Sequence, residues 1–75
     1  MSQMRRLTCV IEQEGDGYAS LCPELDIASQ GDTVEEAKTN LIEAVELFFE
    51  TADAHEAATR LRGDVYITPI EVRVG

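Results

Sequence analysis

A helix start at Thr33 constrains the fold of this 75-residue chain more than any other feature. Thr33 and Glu36 have the spacing of a capping box, in which the hydroxyl accepts from the third helical amide and the carboxylate reaches back to the amide of Thr33. Gly31 and Asp32 supply the turn before the helix, and Glu35 adds negative charge at the positive end of the helix dipole. Because losing such a cap typically costs about 1 kcal/mol, we expect strand to change to helix at this point.

The residues after Thr33 predict one amphipathic helix over about 34–51. Its apolar positions are spaced three or four apart, as a single buried stripe requires; they are Val34, Ala37, Leu41, Ala44, Val45, Phe48 and Ala52. Ile42, Leu47 and Phe49 widen this stripe beyond what one sheet face needs. The opposite side has Lys38 as the only cation of the segment and carries Glu35, Glu36, Glu43, Glu46 and Glu50.

The segment before the helix predicts three strands. Residues 5–13 alternate, with Leu7, Cys9 and Ile11 on one face. Asp16-Gly17 is a hairpin signal, after which residues 18–22 are predicted to form the second strand. Pro23 ends that strand, because it cannot donate a ladder hydrogen bond. Residues 27–30 are predicted to form a short third strand. Because both faces of the first strand carry apolar groups, we expect one face to meet the helix and the other to meet a second chain.

After the helix, the pattern predicts a second short helix over 53–61, with Asp53 as its cap and Gly63 just past its end. Residues 65–74 then alternate as a last strand, with Pro69 placing it at an edge or bulge. The predicted fold class is α+β: a three- to four-stranded antiparallel sheet with one long helix on one face, in the order β-β-β-α-(short α)-β. A chain of this size forms a single domain with a modest core, and oligomerisation is expected.

Charge and hydropathy restrict the partners. Fifteen acidic residues against six basic ones give a net charge of −9, which disfavours direct contact with nucleic acid, because phosphates need clustered lysine and arginine. The same charge suits a basic protein partner, although a solvated acidic surface is the simpler interpretation. No apolar run approaches the roughly 20 residues that span a bilayer, and the chain start lacks a signal-peptide core. We therefore expect no membrane association and a cytoplasmic location.

Few residues suggest chemistry. A symmetric hairpin sets Cys9 opposite Cys22; a cross-strand bridge is conceivable, but reduced thiols acting as two small buried hydrophobes are favoured in the cytoplasm. His55 has no second ligand at metal-binding spacing. Glu24 and Asp26 alternate in a proline-led loop and are interpreted as exposed carboxylates rather than a metal or acid–base pair. The chain is predicted to be non-enzymatic, with no metal and no cofactor.

Several residue groups, in this order and spacing, resemble the HicB-like domain of type II toxin–antitoxin antitoxins. The similarity covers about residues 7–50. The groups that carry it are Gly15-Asp16-Gly17-Tyr18, Cys22-Pro23-Glu24-Leu25, Ser29-Gln30-Gly31-Asp32-Thr33, Glu35-Glu36-Ala37, Asn40-Leu41 and Glu43-Ala44. The resemblance implies a partial ribonuclease-H-like fold, self-association into dimers or tetramers, and neutralisation of a small basic HicA-like toxin that cleaves messenger RNA.

The chain departs from the HicB-like pattern in two places. Asp26-Ile27-Ala28 follows Cys-Pro-Glu-Leu where HicB-like antitoxins usually have Pro-Gly-Cys, which is expected to change the loop rather than the fold. Many relatives continue into an operator-binding segment, for which too few residues remain here, so a single domain without direct DNA contact is expected. The ordered acidic set of true ribonucleases H cannot be placed, and no nuclease centre carries over.

Three hypotheses remain open from the sequence. The first is a HicB-like domain that masks a basic toxin, using Glu24, Asp26, Glu35, Glu43, Glu46 and Glu50. The second is a stand-alone oligomerising domain without a toxin, whose acidity serves solubility. The third is a small metal-dependent hydrolase that uses loop carboxylates.

Overall fold

The computed structural model describes residues 4–61 and 63–75. Three strands come first, β1 (Val10–Glu14), β2 (Gly17–Cys22) and β3 (Ile27–Gly31), followed by helices α1 (Val34–Thr51) and α2 (Ala54–Arg60). The predicted α+β class and element order are confirmed for these five elements. Residues 1–3 and Arg62 lie outside the described residues. The prediction that the chain start carries no signal peptide concerns residues 1–3 in part.

The sheet is an antiparallel meander in the order β1-β2-β3. Val10 pairs with Leu21, and Leu21 pairs in turn with Ala28. The predicted hairpin is present, with its turn at Gly15 and Asp16, and Gly15 has a φ of +60° that favours glycine. The first strand begins at residue 10 rather than residue 5, because β2 ends at Cys22 and offers no ladder partner to the residues before Cys9.

The two faces of the sheet differ in what they contact. Side chains alternate along a strand, so the register places Ile11 and Ser20 on the face that α1 covers. The Ser20 hydroxyl donates to the carbonyl of Ala37 in α1 at 2.9 Å. The opposite face carries a cross-strand row of Val10, Leu21 and Ala28, in which Leu21 is 36% exposed. The prediction that a second chain meets this face stays a prediction.

The core lies between α1 and the sheet. Ala37 and Leu41 are buried on α1, and Leu41 packs with Cys22 and Leu25. Partly buried apolar side chains surround them: Leu7, Ile27, Val45, Phe48, Phe49 and Leu61. Val34, predicted to be in the buried stripe, is 41% exposed, because it stands at the first turn, where α1 has just left the sheet.

The N-terminal cap of α1 forms largely as predicted. The Thr33 hydroxyl accepts from the amide of Glu36 at 3.0 Å. The Glu36 carboxylate, however, accepts from the amide of Asp32 at 2.9 Å rather than from that of Thr33. It therefore ties the helix to the preceding turn, one residue further back than a standard capping box.

Helix α2 is confirmed close to its predicted bounds. Its cap is Asp53, whose carboxylate accepts from the amide of Glu56 at 2.7 Å. At the other end, Arg60 donates to the carbonyl of Leu25 at 2.6 Å and lies 5.2 Å from the ring centroid of Phe48. Arg60 thus holds α2 against the turn between β2 and β3.

The predicted last strand does not form in this chain. Residues 64–75, which we call the C-terminal arm, have no regular secondary structure. Their apolar side chains are mostly exposed: Tyr66 81%, Ile67 66%, Ile70 79%, Val72 69% and Val74 85%. The radius of gyration is 14.6 Å, against about 11 Å for a compact domain of this length. The alternation therefore favours an extended conformation, but no strand of the described chain pairs with it.

Candidate protein-interaction surface

Four of the predicted partner-binding residues share one side of α1. Glu35, Glu43, Glu46 and Glu50 are all exposed. At about 100° per residue they fall within roughly 80° of the helix circumference, opposite the buried Ala37 and Leu41. We call these four glutamates the acidic stripe. From Glu35 to Glu50 it extends roughly 22 Å along the helix axis.

Two exposed apolar residues flank the acidic stripe and were not among the predicted site residues. Ile42 is 48% exposed and Leu47 is 59% exposed, and helical spacing places one on each side of the glutamates. The sequence could have identified both as exposed, because they lie outside the three-and-four spacing of the buried stripe. Exposed apolar side chains rimmed by polar ones are typical of surfaces that contact another protein.

Glu24, predicted as a partner-binding carboxylate, is instead part of the interior. It is only 9% exposed, and its carboxylate accepts from the amide of Thr8 at 2.9 and 3.1 Å and from the Thr8 hydroxyl at 2.7 Å. The Cys22 thiol donates to the same carboxylate at 3.6 Å. A carboxylate with these partners is not available to a second protein, because contact would require breaking them.

The contacts around Glu24 shift two pKa values in opposite directions. Burial alone would raise the pKa of Glu24, but the hydrogen bonds, chiefly from the Thr8 side chain, outweigh it and hold this pKa below its ordinary value. Burial raises the pKa of Cys22, and the negative charge of Glu24 adds to the rise. Cys22 is therefore a neutral thiol, and the pair strengthens the loop rather than forming a reactive site.

The loop between β2 and β3 is less exposed than predicted. Leu25 is fully buried, and its amide donates to the carbonyl of Cys22 at 3.2 Å. Only Asp26 of the predicted pair is exposed, with a φ of +57° at the turn into β3. Asp26 thus lies on a different element from the acidic stripe.

The cysteines are both free thiols. Cys22 is buried, as predicted, whereas Cys9 is exposed. The prediction for Cys9 is wrong because β1 begins at Val10 rather than at residue 5, so Cys9 lies just outside the sheet. Cys9 instead borders an open cleft of about 340 Å³ between residues 4–9 and α1, lined also by Leu7, Val45 and Phe49. We call this cleft the β1–α1 groove because residues 4–9 lead directly into β1, although no residue of β1 itself lines it.

A second cleft, of about 450 Å³, lies where the hairpin and β3 meet the start of α1. Two of its polar side chains already have partners: Glu36 accepts from Asp32, and Asn40 donates to the carbonyl of Gln30 at 2.7 Å. These groups stabilise the strand-to-helix turn. Within residues 4–61 and 63–75, no group of three or more histidine, cysteine, aspartate or glutamate side chains is placed to hold a metal ion. His55 is exposed on α2.

The fold and the surface together define a small α+β domain, in which a capped helix covers one face of a three-stranded meander and presents glutamates on its outer side. The chain belongs to the UPF0150 family. It is 38% identical to a UPF0150 protein of Synechocystis sp. over 74 residues, which cover 96% of this chain and 92% of the relative. It is 37% identical to a UPF0150 protein of Helicobacter pylori over 67 residues, covering 88% of this chain and 93% of the relative.

A further UPF0150 protein of Synechocystis sp. is 48% identical over 46 residues, or 59% of this chain and 64% of the relative. These names state no activity, substrate or partner. No family model matches the chain, and no solved structure matches it. Among the described residues, no helix has both the length and the apolar character to cross a bilayer.

Proposed function

We propose that this chain is a HicB-like antitoxin-type binding protein, which neutralises a small basic mRNA-cleaving toxin by direct protein–protein contact. The observation that carries the proposal is the acidic stripe, with four exposed glutamates on the outer side of α1 and an exposed apolar residue on each flank. The ordered residue groups that resemble HicB-like domains support the same function.

The mechanism follows from what an RNA-cleaving partner needs. A protein that cleaves messenger RNA holds phosphates with lysine and arginine. Carboxylates spaced along roughly 22 Å of helix would occupy such a basic surface in place of phosphates. The net charge of −9 would accelerate the encounter, and Ile42 and Leu47 would add apolar contact once the two proteins meet.

The alternative is a stand-alone oligomerising domain without a toxin, in which the acidic stripe only maintains solubility. The exposed apolar side chains of the C-terminal arm favour self-association. They do not decide against a toxin, because the C-terminal arm and the acidic stripe are separate surfaces. Neither hypothesis involves a metal, a cofactor or catalysis by this chain.

The test is titration calorimetry with a HicA-like toxin from the genome that encodes this chain. The variant Glu43→Lys/Glu46→Lys reverses the centre of the acidic stripe. The variant Glu14→Lys/Asp16→Lys makes the same net charge change in the hairpin, where both residues are exposed. We expect the first variant to lose at least about tenfold in affinity, or about 1.4 kcal/mol, and the second to lose much less.

Salt provides a second readout. Exposed charges more than about 10 Å apart are screened at 0.1 M salt, so affinity of the wild-type chain should fall as salt rises. The stripe variant should show a weaker salt dependence. Equal losses for the two variants, or no binding by the wild-type chain, would contradict the proposal and favour the stand-alone domain.

A further inference from the structure

We propose that the C-terminal arm of one copy pairs with the free edge of β1 in a second copy, as a fourth strand whose apolar side enters the β1–α1 groove. The exchange is reciprocal, so that two arms and two edges form one twofold contact. This inference does not rest on the proposed toxin-binding function, because it is argued from the arm and the edge of β1. The groove does share Ile42 and Glu46 with the surface proposed for the toxin.

The C-terminal arm has the pattern of a strand that lacks a partner. Residues 70–74 alternate strictly between apolar and charged side chains, and Ile70, Val72 and Val74 are 79%, 69% and 85% exposed. Alternation of this kind is typical of a strand with one buried face. Exposed apolar side chains in such a row mark a surface that another protein covers.

The β1 edge is the open side of the sheet. Among residues 4–61 and 63–75, β1 pairs only with β2 in the order β1-β2-β3, so within this part of the chain its other side has unpaired backbone groups. Helix α1 lies chiefly over β3 and β2 and touches β1 least, which leaves the β1–α1 groove open. At the opposite edge, the carbonyl of Gln30 in β3 already accepts from Asn40. The β1 edge is therefore the better acceptor of a fourth strand.

The apolar side of the C-terminal arm matches the lining of the groove. Leu7, Val45 and Phe49 provide apolar surface there, and each is only partly buried in the single chain. With the even-numbered apolar side of the arm turned toward the groove, Arg73 lies on the other sheet face. That face carries Glu12 and Glu14 of β1. Arg73 is complementary to them, whereas Glu71, on the same side of the arm, is not.

The position from which the C-terminal arm leaves the domain favours pairing with a second copy over pairing with the β1 edge of its own chain. Residues 63–66 lie beside residues 5–8 around a cleft of about 310 Å³, and the rest of the arm extends outward, with a longest molecular dimension of 52 Å. At about 3.3 Å per residue, ten extended residues reach roughly 33 Å, enough to follow the β1 edge of a neighbour. An arm and an acceptor edge on the same chain are self-complementary, which gives a closed twofold dimer.

Sedimentation of the full chain tests the arm directly. We expect the wild-type chain to sediment as a dimer, or as a multiple of it, and Ile70→Glu/Val72→Glu to sediment as a monomer. Glu71→Gln changes the outward side and should remain dimeric. Far-ultraviolet circular dichroism of each variant verifies that the helices persist, since the core residues lie outside the arm. A wild-type chain that sediments as a monomer at about 100 μM would overturn the proposal. So would an Ile70→Glu/Val72→Glu variant that sediments as a dimer.

Disulfide trapping tests which edge receives the arm. The wild-type chain supplies the exposed thiol of Cys9 beside the groove. It is mixed with a chain carrying Cys9→Ser together with either Ile70→Cys or Val72→Cys, and oxidised mildly. We expect a covalent heterodimer from at least one of these positions, and little from Arg73→Cys in the same background. Absence of that heterodimer from both positions would overturn the assignment to the β1 edge.

Discussion

The carboxylate of Glu24 accepts three hydrogen bonds from Thr8, two from its amide and one from its hydroxyl. These contacts join residues 16 positions apart. They hold the chain before β1 against the turn after β2, so the pair extends the sheet beyond the last backbone ladder bond. Because these hydrogen bonds hold the pKa of Glu24 below its ordinary value in the folded chain, Glu24 links folding to pH.

Glu24→Gln should destabilise the fold by about 1–3 kcal/mol, because one amide NH₂ replaces an oxygen that accepts from Thr8 and leaves a half-buried Thr8 donor without its partner. Chemical denaturation at pH 7 measures the change. Glu12→Gln, at an exposed residue of β1, is the matched control and should change stability by less than about 0.5 kcal/mol. Equal effects in the two variants would show that the Thr8 contacts contribute nothing.

Stability should also fall on acidification, and Glu24 should account for part of the fall. The pKa of Glu24 is lower in the folded chain than its ordinary value of 4.5. Its contribution is therefore complete above that pH and is lost as pH falls through the folded-state pKa. Denaturation of the wild-type chain and of Glu24→Gln between about pH 3 and pH 7 should show a difference that shrinks toward acid. A constant difference across this range would contradict the linkage.

Arg60→Ala should loosen α2 from the body. It removes the hydrogen bond to the carbonyl of Leu25 and the contact with the Phe48 ring, together worth about 1–2 kcal/mol. For a domain of this size, 1 kcal/mol corresponds to about 4–8 °C in Tm. Lys38→Ala removes a positive charge from α1 without these contacts and serves as the control. A Tm drop of the same size in the control would contradict the docking role of Arg60.

Phe48→Ala should cost about 3 kcal/mol, near the lower end for a phenylalanine truncation, because Phe48 is only partly buried against the core. Leu47→Ala, at the neighbouring exposed position, should cost less than about 0.5 kcal/mol. Thermal denaturation of both variants measures the contrast. If Leu47→Ala were the more damaging change, the assignment of the buried side of α1 would be wrong.

The sequence predicted best the features that short-range contacts determine. The Thr33 cap, the turn at Gly15 and Asp16, and the cap at Asp53 each depend on residues within about four positions, and each is present. The buried Ala37 and Leu41 followed from helical spacing. Of the residues that contact them, Cys22 was predicted to be buried, whereas Ser20 and Leu25 were not.

The features that the sequence missed depend on distant parts of the chain. The local sequence predicts an exposed Glu24 because it follows Pro23 and alternates with Asp26 in a loop, whereas its partner Thr8 comes from before β1. Extending the hairpin register by two residues would have brought Thr8 opposite Pro23 and so beside Glu24. For the C-terminal arm, the alternation predicted the conformation, but no local pattern identifies which edge, or which copy, supplies the pairing partner.

The most direct test of the central claim is cleavage of messenger RNA by a purified HicA-like toxin in the presence of this chain. We predict that the wild-type chain and Glu14→Lys/Asp16→Lys suppress cleavage at similar concentrations, and that Glu43→Lys/Glu46→Lys needs at least about tenfold more. Suppression by the stripe variant at the wild-type concentration, or undiminished cleavage with the wild-type chain, would contradict the account.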